Sequence, residues 1–183
     1  HLLWYHQNTS RVLHQLFDLY GSDKGSCSET SPHYPWRPHS YADVYSSLLE
    51  YHRFKVEAVF ECGVGSSREE FQSNMTDSGR PGASLRAWRD YFPNARILGA
   101  DLDTSVLFAE ERIATYFVDQ TDSGSIERMW HTAGYPLLDL AIDDGLHTPT
   151  AAHSLLQGTW DRLKDGGLYF IEDVKLRHLD QYR

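Results

Sequence analysis

Five short apolar runs, each with an acidic residue at or beside its end, set the tightest limit on how this chain can fold. They are Val56 to Cys62, Arg96 to Asp101, Ile113 to Val118, Leu137 to Asp143 and Gly167 to Glu172. Amphipathic stretches lie between them, at Ala83 to Tyr91, Ser123 to His131 and Thr150 to Leu163, with apolar residues three or four apart. Runs apolar on both faces and separated by helices pack most economically as a parallel sheet covered on both sides, with right-handed crossovers. An α/β fold is therefore expected. Upstream, the pattern changes to two helices, Arg11 to Tyr20 and Ala42 to His52. The segment Gly21 to His39 joins them, poor in apolar anchors and interrupted by Pro32, Pro35 and Pro38, and it reads as a loop or lid. A single domain suits the 183 residues, organised as N-terminal helices and lid over 1–55 and an α/β core over 56–183.

Charge narrows the partners. With 26 acidic against 17 basic side chains and a formal charge of -9, the chain is a poor match for nucleic acid, whose binding is mostly cationic neutralisation. No run approaches the roughly 20 apolar residues of a membrane span. No charged-then-apolar leader precedes the helices, so neither a membrane nor export is expected. Two cysteines, Cys27 and Cys62, are too few for a disulfide framework and fit a reducing, cytoplasmic setting.

The first strand runs into Glu61-Cys62-Gly63-Val64-Gly65. Two glycines spaced one apart let the backbone turn sharply and approach a ligand closely, although an ordinary tight turn has the same look. The second strand ends Gly99-Ala100-Asp101, an acid where the ribose of a nucleotide would lie. The third leads into Asp119-Gln120, suited to an adenine edge or simply to a solvated turn.

The last two strands carry the strongest signal. They end Ile142-Asp143-Asp144-Gly145-Leu146-His147 and Ile171-Glu172-Asp173. Paired acids directly after apolar strands are costly unless something positive meets them. On neighbouring strands, Asp144, Glu172 and Asp173 would form an all-oxygen set suited to Mg²⁺. His147, three residues after Asp144, would face the same pocket as a general base. The alternative is structural, with Asp144 capping the next helix and His147 on a surface loop. His153, His33 and His39 read as packing or solvated residues, and Trp36, Trp88, Trp130 and Trp160 as core or lid packing.

Taken in order, these motifs resemble a known family. Beside those above stand Ala83-Ser84-Leu85-Arg86-Ala87-Trp88-Arg89-Asp90-Tyr91-Phe92-Pro93-Asn94-Ala95, Asp119-Gln120-Thr121-Asp122, and upstream Tyr20-Gly21-Ser22-Asp23-Lys24-Gly25 and His39-Ser40-Tyr41. Together they are similar to class I S-adenosylmethionine-dependent methyltransferases, and within these to the metal-dependent macrolide sugar O-methyltransferases of mycinamicin and demethylmacrocin type. The resemblance runs from about residue 17 to 173 and implies a Rossmann-like methyltransferase sheet. It implies that Glu61, Gly63 and Gly65 border the methionine part of S-adenosylmethionine, that Asp101 holds its ribose, and that Asp119 and Gln120 lie by the adenine. It also implies that Asp144, Glu172 and Asp173 ligate Mg²⁺, that His147 is the catalytic base, and that the acceptor is a small-molecule hydroxyl on a sugar or other natural product.

The chain departs from the family at Leu146, where a small hydroxyl residue is usual, in a longer Ser66 to Gly82 loop, and in Val174-Lys175-Leu176 after the last acids. Two rival readings stand beside the resemblance. One is an NAD(P)-dependent oxidoreductase, against which Arg68 occupies the third-glycine position of the dinucleotide fingerprint. The other is a non-catalytic binding module of the same fold. A seven-stranded methyltransferase sheet needs two strands beyond Asp173, roughly 40 to 60 residues. Either further C-terminal chain or a neighbouring copy in a homo-oligomer is expected to cover the edge strand.

Overall fold

The computed structural model describes residues 11–25, 34, 36, 37, 39–77 and 79–182. Cys27, Pro32, His33, Pro35 and Pro38 lie outside the described residues, and so does much of the expected lid. The helices are α1 (Val12–Tyr20), α2 (Tyr41–Leu49), α3 (Ala83–Tyr91), α4 (Ser123–Ala133) and α5 (Pro149–Thr159). The strands are β1 (Ala58–Cys62), β2 (Arg96–Asp101), β3 (Ala109–Glu110), β4 (Ile113–Phe117), β5 (Leu138–Asp143) and β6 (Leu163–Ile171).

These six strands form one sheet in the order β3-β4-β2-β1-β5-β6. All neighbours are parallel except β3, which pairs antiparallel with β4. All five expected strands and all five expected helices are therefore present. The chain moves from β1 to β2 on one side and later returns to β5 on the other. The crevice at the carboxyl ends of β1 and β5 is thus the topological switch point, where open α/β sheets bind ligands.

Alternation along each strand divides the core into two layers. Val59, Ile97, Leu140 and Ile142 join one cluster with Phe17, Tyr45 and Trp88. Phe60, Leu98 and Ala141 join the other with Ile126, Trp130 and Leu155. Because period-2 side chains point to opposite faces, a strand buried on both sides is mostly apolar, as β1 is at every position but Glu61. Trp88 anchors the first layer, with Phe17 and Tyr45 meeting it edge-on at 4.9 Å. The helices of the N-terminal segment thus pack on the same core as the sheet.

Local chemistry explains most boundaries. Gly134 ends α4 at φ 81 with its N–H shared by the His131 and Trp130 carbonyls, a conformation that a Cβ disfavours. Thr148 caps α5 through the Ala151 amide, with Pro149 in the first turn. The cap of α5 is therefore Thr148 and not Asp144.

Three features differ from the sequence reading. Strand β3, two exposed residues long, has no local signal, and only pairing with β4 makes it a strand. Strand β6 begins at Leu163, earlier than Gly167, across an irregularity opposite Leu138 to Leu140 with Gly166 at φ 79. A bulge admits polar and glycine residues that a regular apolar run excludes. A further 3₁₀ segment, Leu176–Tyr182, follows the last strand. Of the tryptophans, Trp88 and Trp130 are buried, whereas Trp160 is 61% exposed.

Candidate active site

A cavity of about 470 Å³ opens at the switch point. Gly63, Gly65, Asp101, Asp119, Gln120, Asp144, His147 and Asp173 all line it. The two glycines make its floor. Both have φ near +100°, and a Cβ on Gly63 would lie 2.1 Å from the Asp144 carbonyl oxygen. The turn after β1 therefore touches the loop after β5 backbone to backbone, and only glycine permits that contact.

Asp101 holds the turn in shape. One of its oxygens accepts from the amides of Val64 at 2.8 Å and Gly65 at 3.0 Å, and the other from the Asp103 amide at 2.8 Å. Burial raises its pKa against the pull of these donors. Gln120 works the same way on the far side. Its amide nitrogen donates to Asp143 at 2.6 Å, and its oxygen accepts from the Leu146 amide at 2.9 Å. Asp119 accepts from the amide and hydroxyl of Thr121. Asp143, behind the loop, has its pKa pushed up to about 6 by burial.

Glu61 lies elsewhere. It is fully buried, accepts from the Trp88 indole at 2.5 Å, and is not among the cavity-lining residues.

The acids after β5 and β6 form the electrostatic centre. Asp144, His147 and Asp173 each offer one ligand atom, and the three atoms lie within 4.8 Å of one another. His147 Nε2 stands 4.0 Å from Asp144 Oδ1 and 3.8 Å from Asp173 Oδ2. Both His147 (φ 55) and Asp173 (φ 53) have left-handed backbone, strain that non-glycine residues keep where the surroundings impose it. Tyr41 donates to Asp173 Oδ1 at 2.6 Å and stacks on His39, whose ring nitrogen is 3.5 Å from the same oxygen. Burial opposes the charge on Asp173, but Tyr41, His39, His147 and Lys24 hold its pKa below the ordinary value.

Glu172 is not part of that group. The sequence reading made it a third ligand, but its carboxylate turns inward, 3% exposed, and accepts from Lys24 and from the Tyr45 hydroxyl. The end of the strand explains this: Glu172 directly follows β6, and the left-handed backbone of Asp173 turns the next side chain another way. Lys24 Nζ also meets Asp144 Oδ2 at 2.5 Å and lies 3.5 Å from Glu61 Oε1. Burial alone would discharge Lys24, but Asp144, Glu172 and Glu61 outweigh it and raise its pKa well above the ordinary value.

Lys24, Tyr41, Tyr45 and His39 therefore belong to the site without having been singled out for it. The only signal for Lys24 was indirect: acids crowded at strand ends demand a cation. The tyrosines carried none, because helix spacing cannot say which aromatic reaches a distant carboxylate. His153, by contrast, is exposed as expected. The Ser66 to Gly82 loop is irregular and contributes Phe71, Met75 and Arg80 to the cavity wall.

Comparison with known proteins gives a consistent picture. No family model matches the chain. The 8-demethyl-8-alpha-L-rhamnosyl tetracenomycin-C 2'-O-methyltransferase of Streptomyces olivaceus is 30% identical over 140 residues, 76% of this chain and 34% of that protein. The mycinamicin VI 2''-O-methyltransferase of Micromonospora griseorubida is 30% identical over 159 residues, 84% of this chain and 37% of that protein. The chain thus spans about a third of the length of the curated relatives it matches. Among solved structures, the MycE methyltransferase of the mycinamycin biosynthetic pathway, in complex with Mg and SAH, superposes with a TM-score of 0.67 at 27% identity, covering 93% of this chain and 41% of that one. The fold is the Rossmann-like class I methyltransferase fold, and the curated homologues are sugar O-methyltransferases.

Proposed function

We propose that this chain carries the catalytic centre of an S-adenosylmethionine- and Mg²⁺-dependent O-methyltransferase acting on a sugar hydroxyl of a glycosylated natural product. One observation carries the reading. The glycine turn and the group Asp144, His147 and Asp173 open into the same cavity, so a methyl donor and a cation would lie side by side.

The residues present fit both groups. Gly63 and Gly65 make a floor without side chains, beneath which Asp101 fixes the backbone. Asp144 and Asp173 would hold Mg²⁺, a hard cation that takes few carboxylates and keeps several waters. When bound, S-adenosylmethionine would supply the electrophilic methyl, and Mg²⁺ the charge that favours loss of the acceptor's proton. His147, the residue of the three least suited to ligate Mg²⁺, takes that proton at Nε2. Asp144 and Asp173 stand on either side of its ring, 4.0 and 3.8 Å from Nε2. Phe71, Met75 and Trp36 line the cavity and limit water around the reacting atoms. The work of the protein is mostly alignment of acceptor oxygen and methyl donor.

No helix among the described residues is long and apolar enough to cross a membrane. The free, buried Cys62 and a cosubstrate made inside cells support a cytoplasmic location. The test is calorimetry with S-adenosylhomocysteine, with and without Mg²⁺, then methyl transfer to rhamnosylated or macrolide acceptors before and after EDTA. Binding of S-adenosylhomocysteine with EDTA-sensitive transfer is expected. Binding of NAD in its place, or transfer indifferent to EDTA, would refute the reading.

A further inference from the structure

We propose that Trp36, backed by Tyr34, is the platform on which the acceptor's sugar ring stacks, and that it selects a pyranose over other hydroxyl compounds. The proposal rests on the reading above and deepens it by naming the face of the sugar that this chain recognises. It starts from an exposed tryptophan that is held in place. Trp36 lines the cavity and is 37% exposed, although large aromatics are mostly buried. Its indole N–H donates to Asp23 Oδ2 at 2.7 Å, and its ring lies 5.1 Å from that of Tyr34. Tyr34 is anchored in turn, its hydroxyl donating to the Gly21 carbonyl at 3.0 Å. The indole N–H is thus already engaged, and what Trp36 offers the cavity is its ring.

The place of that ring favours the acceptor over the cosubstrate. Asp23 Oδ2 is 3.5 Å from His39 Nε2, and His39 Nδ1 is 3.5 Å from Asp173 Oδ1. Trp36, Asp23, His39 and Asp173 therefore form a chain of contacts that ends at the acidic centre, after β6. Asp101 and Asp119 lie at the ends of β2 and β4, on the other side of β1 in the sheet. With neighbouring strands about 4.8 Å apart, β4 and β6 are separated by roughly 19 Å. Ribose and adenine placed at Asp101 and Asp119 leave Trp36 to the second substrate. The chemistry of the ring fits a sugar. A pyranose carries hydroxyls around its edge and C–H bonds on its faces, weakly positive against the negative face of an indole. Acids alone would bind any polyol through its hydroxyls, whereas a fixed aromatic adds a preference for a flat apolar face. Because contacts on its N–H and its ring already hold Trp36, little side-chain freedom is lost on binding.

Ligand-observed NMR titration, suited to weak binding, tests this on the full chain in the presence of S-adenosylhomocysteine and Mg²⁺. The probes are methyl α-L-rhamnopyranoside and rhamnitol, an open-chain polyol that keeps the hydroxyls and lacks the ring face. The unaltered protein is expected to bind the pyranoside about tenfold more tightly than rhamnitol. Trp36→Ala should lose about tenfold in pyranoside affinity and leave rhamnitol within about threefold, which erases the preference. Trp36→Phe keeps a ring and gives up the bond to Asp23, and it should stay within about threefold of the parent on the pyranoside.

Equal affinity of the unaltered protein for the two probes, or an unchanged preference in Trp36→Ala, would overturn the proposal. So would Trp36→Phe as weak as Trp36→Ala, since Trp36 would then act only by holding Asp23. S-adenosylhomocysteine affinity, measured by calorimetry, serves as the control and is expected to change by less than about threefold in both variants. A parallel loss of S-adenosylhomocysteine affinity would overturn the assignment of Trp36 to the acceptor. Should the unaltered protein bind the pyranoside but not S-adenosylhomocysteine, the methyltransfer reading falls and the platform stands on the probe comparison. Should it bind S-adenosylhomocysteine but neither probe, the platform falls and the methyl-donor site stands.

Discussion

Replacing Gly63 with alanine tests whether the glycine turn and the acidic centre are one mechanical unit. Two costs add. An alanine at φ 102 occupies backbone space that L-residues avoid, a strain of about 1–3 kcal/mol. Its Cβ would also meet the Asp144 carbonyl oxygen at 2.1 Å and the carbonyl carbon at 2.7 Å. Both contacts are with backbone, so no side-chain rotation relieves them and one loop must move by about an ångström, an overpacking cost of about 1–3 kcal/mol. The sum is about 2–6 kcal/mol, a fall in melting temperature of roughly 5–20 °C for a domain of this size.

Gly134→Ala is the internal control. Its φ is also positive, at 81°, but nothing lies within 4 Å of the added Cβ. Only the conformational cost remains, about 1 kcal/mol and a few degrees. Thermal melts would rank the two, and Mn²⁺ titration would show whether the Asp144 loop moved: Gly63→Ala should lose metal affinity and Gly134→Ala should keep it. Equal melting temperatures, or Gly63→Ala with unaltered Mn²⁺ affinity, would refute the claim that the turn sets the position of Asp144.

His147→Ala should lower methyl transfer by about 10²–10⁴-fold while S-adenosylhomocysteine binding persists, and full activity across neutral to alkaline pH would remove His147 as the base. Asp101→Ala leaves the Val64 and Gly65 amides without their acceptor. It should cost about 2–3 kcal/mol in urea unfolding even with no cosubstrate present, whereas a residue that only contacts ligand would leave unfolding unchanged.

The Asp143 carboxyl, raised by burial from 3.8 to about 6, is more easily protonated folded than unfolded. Its contribution is therefore full below about pH 4 and lost as pH rises to about 6. Asp143→Asn should be more stable than the parent near neutral pH, by about 3 kcal/mol, and lose that advantage below about pH 4. An advantage that persisted in acid would show that packing, not ionisation, separates the two.

Sequence alone determined five of the six strands, the five helices and the layers, because burial on both faces demands largely apolar runs and helices repeat at 3.6 residues. Ala83–Tyr91 and Arg96–Asp101 match their expected bounds to the residue. It also determined that Gly63, Gly65, Asp101, Asp144, His147 and Asp173 gather at one end of the sheet, since a parallel sheet brings all its strand ends together. Which acid faces the cavity was decided only by the tertiary structure. Glu172 and Asp173 are neighbours in sequence, yet one is sealed beneath Lys24 and Tyr45 while the other meets His147. Lys24 lies 120 residues from Asp144 and 148 from Glu172. No local pattern encodes a pairing across that distance, because it exists only when α1, α2 and the sheet have closed around the same charge.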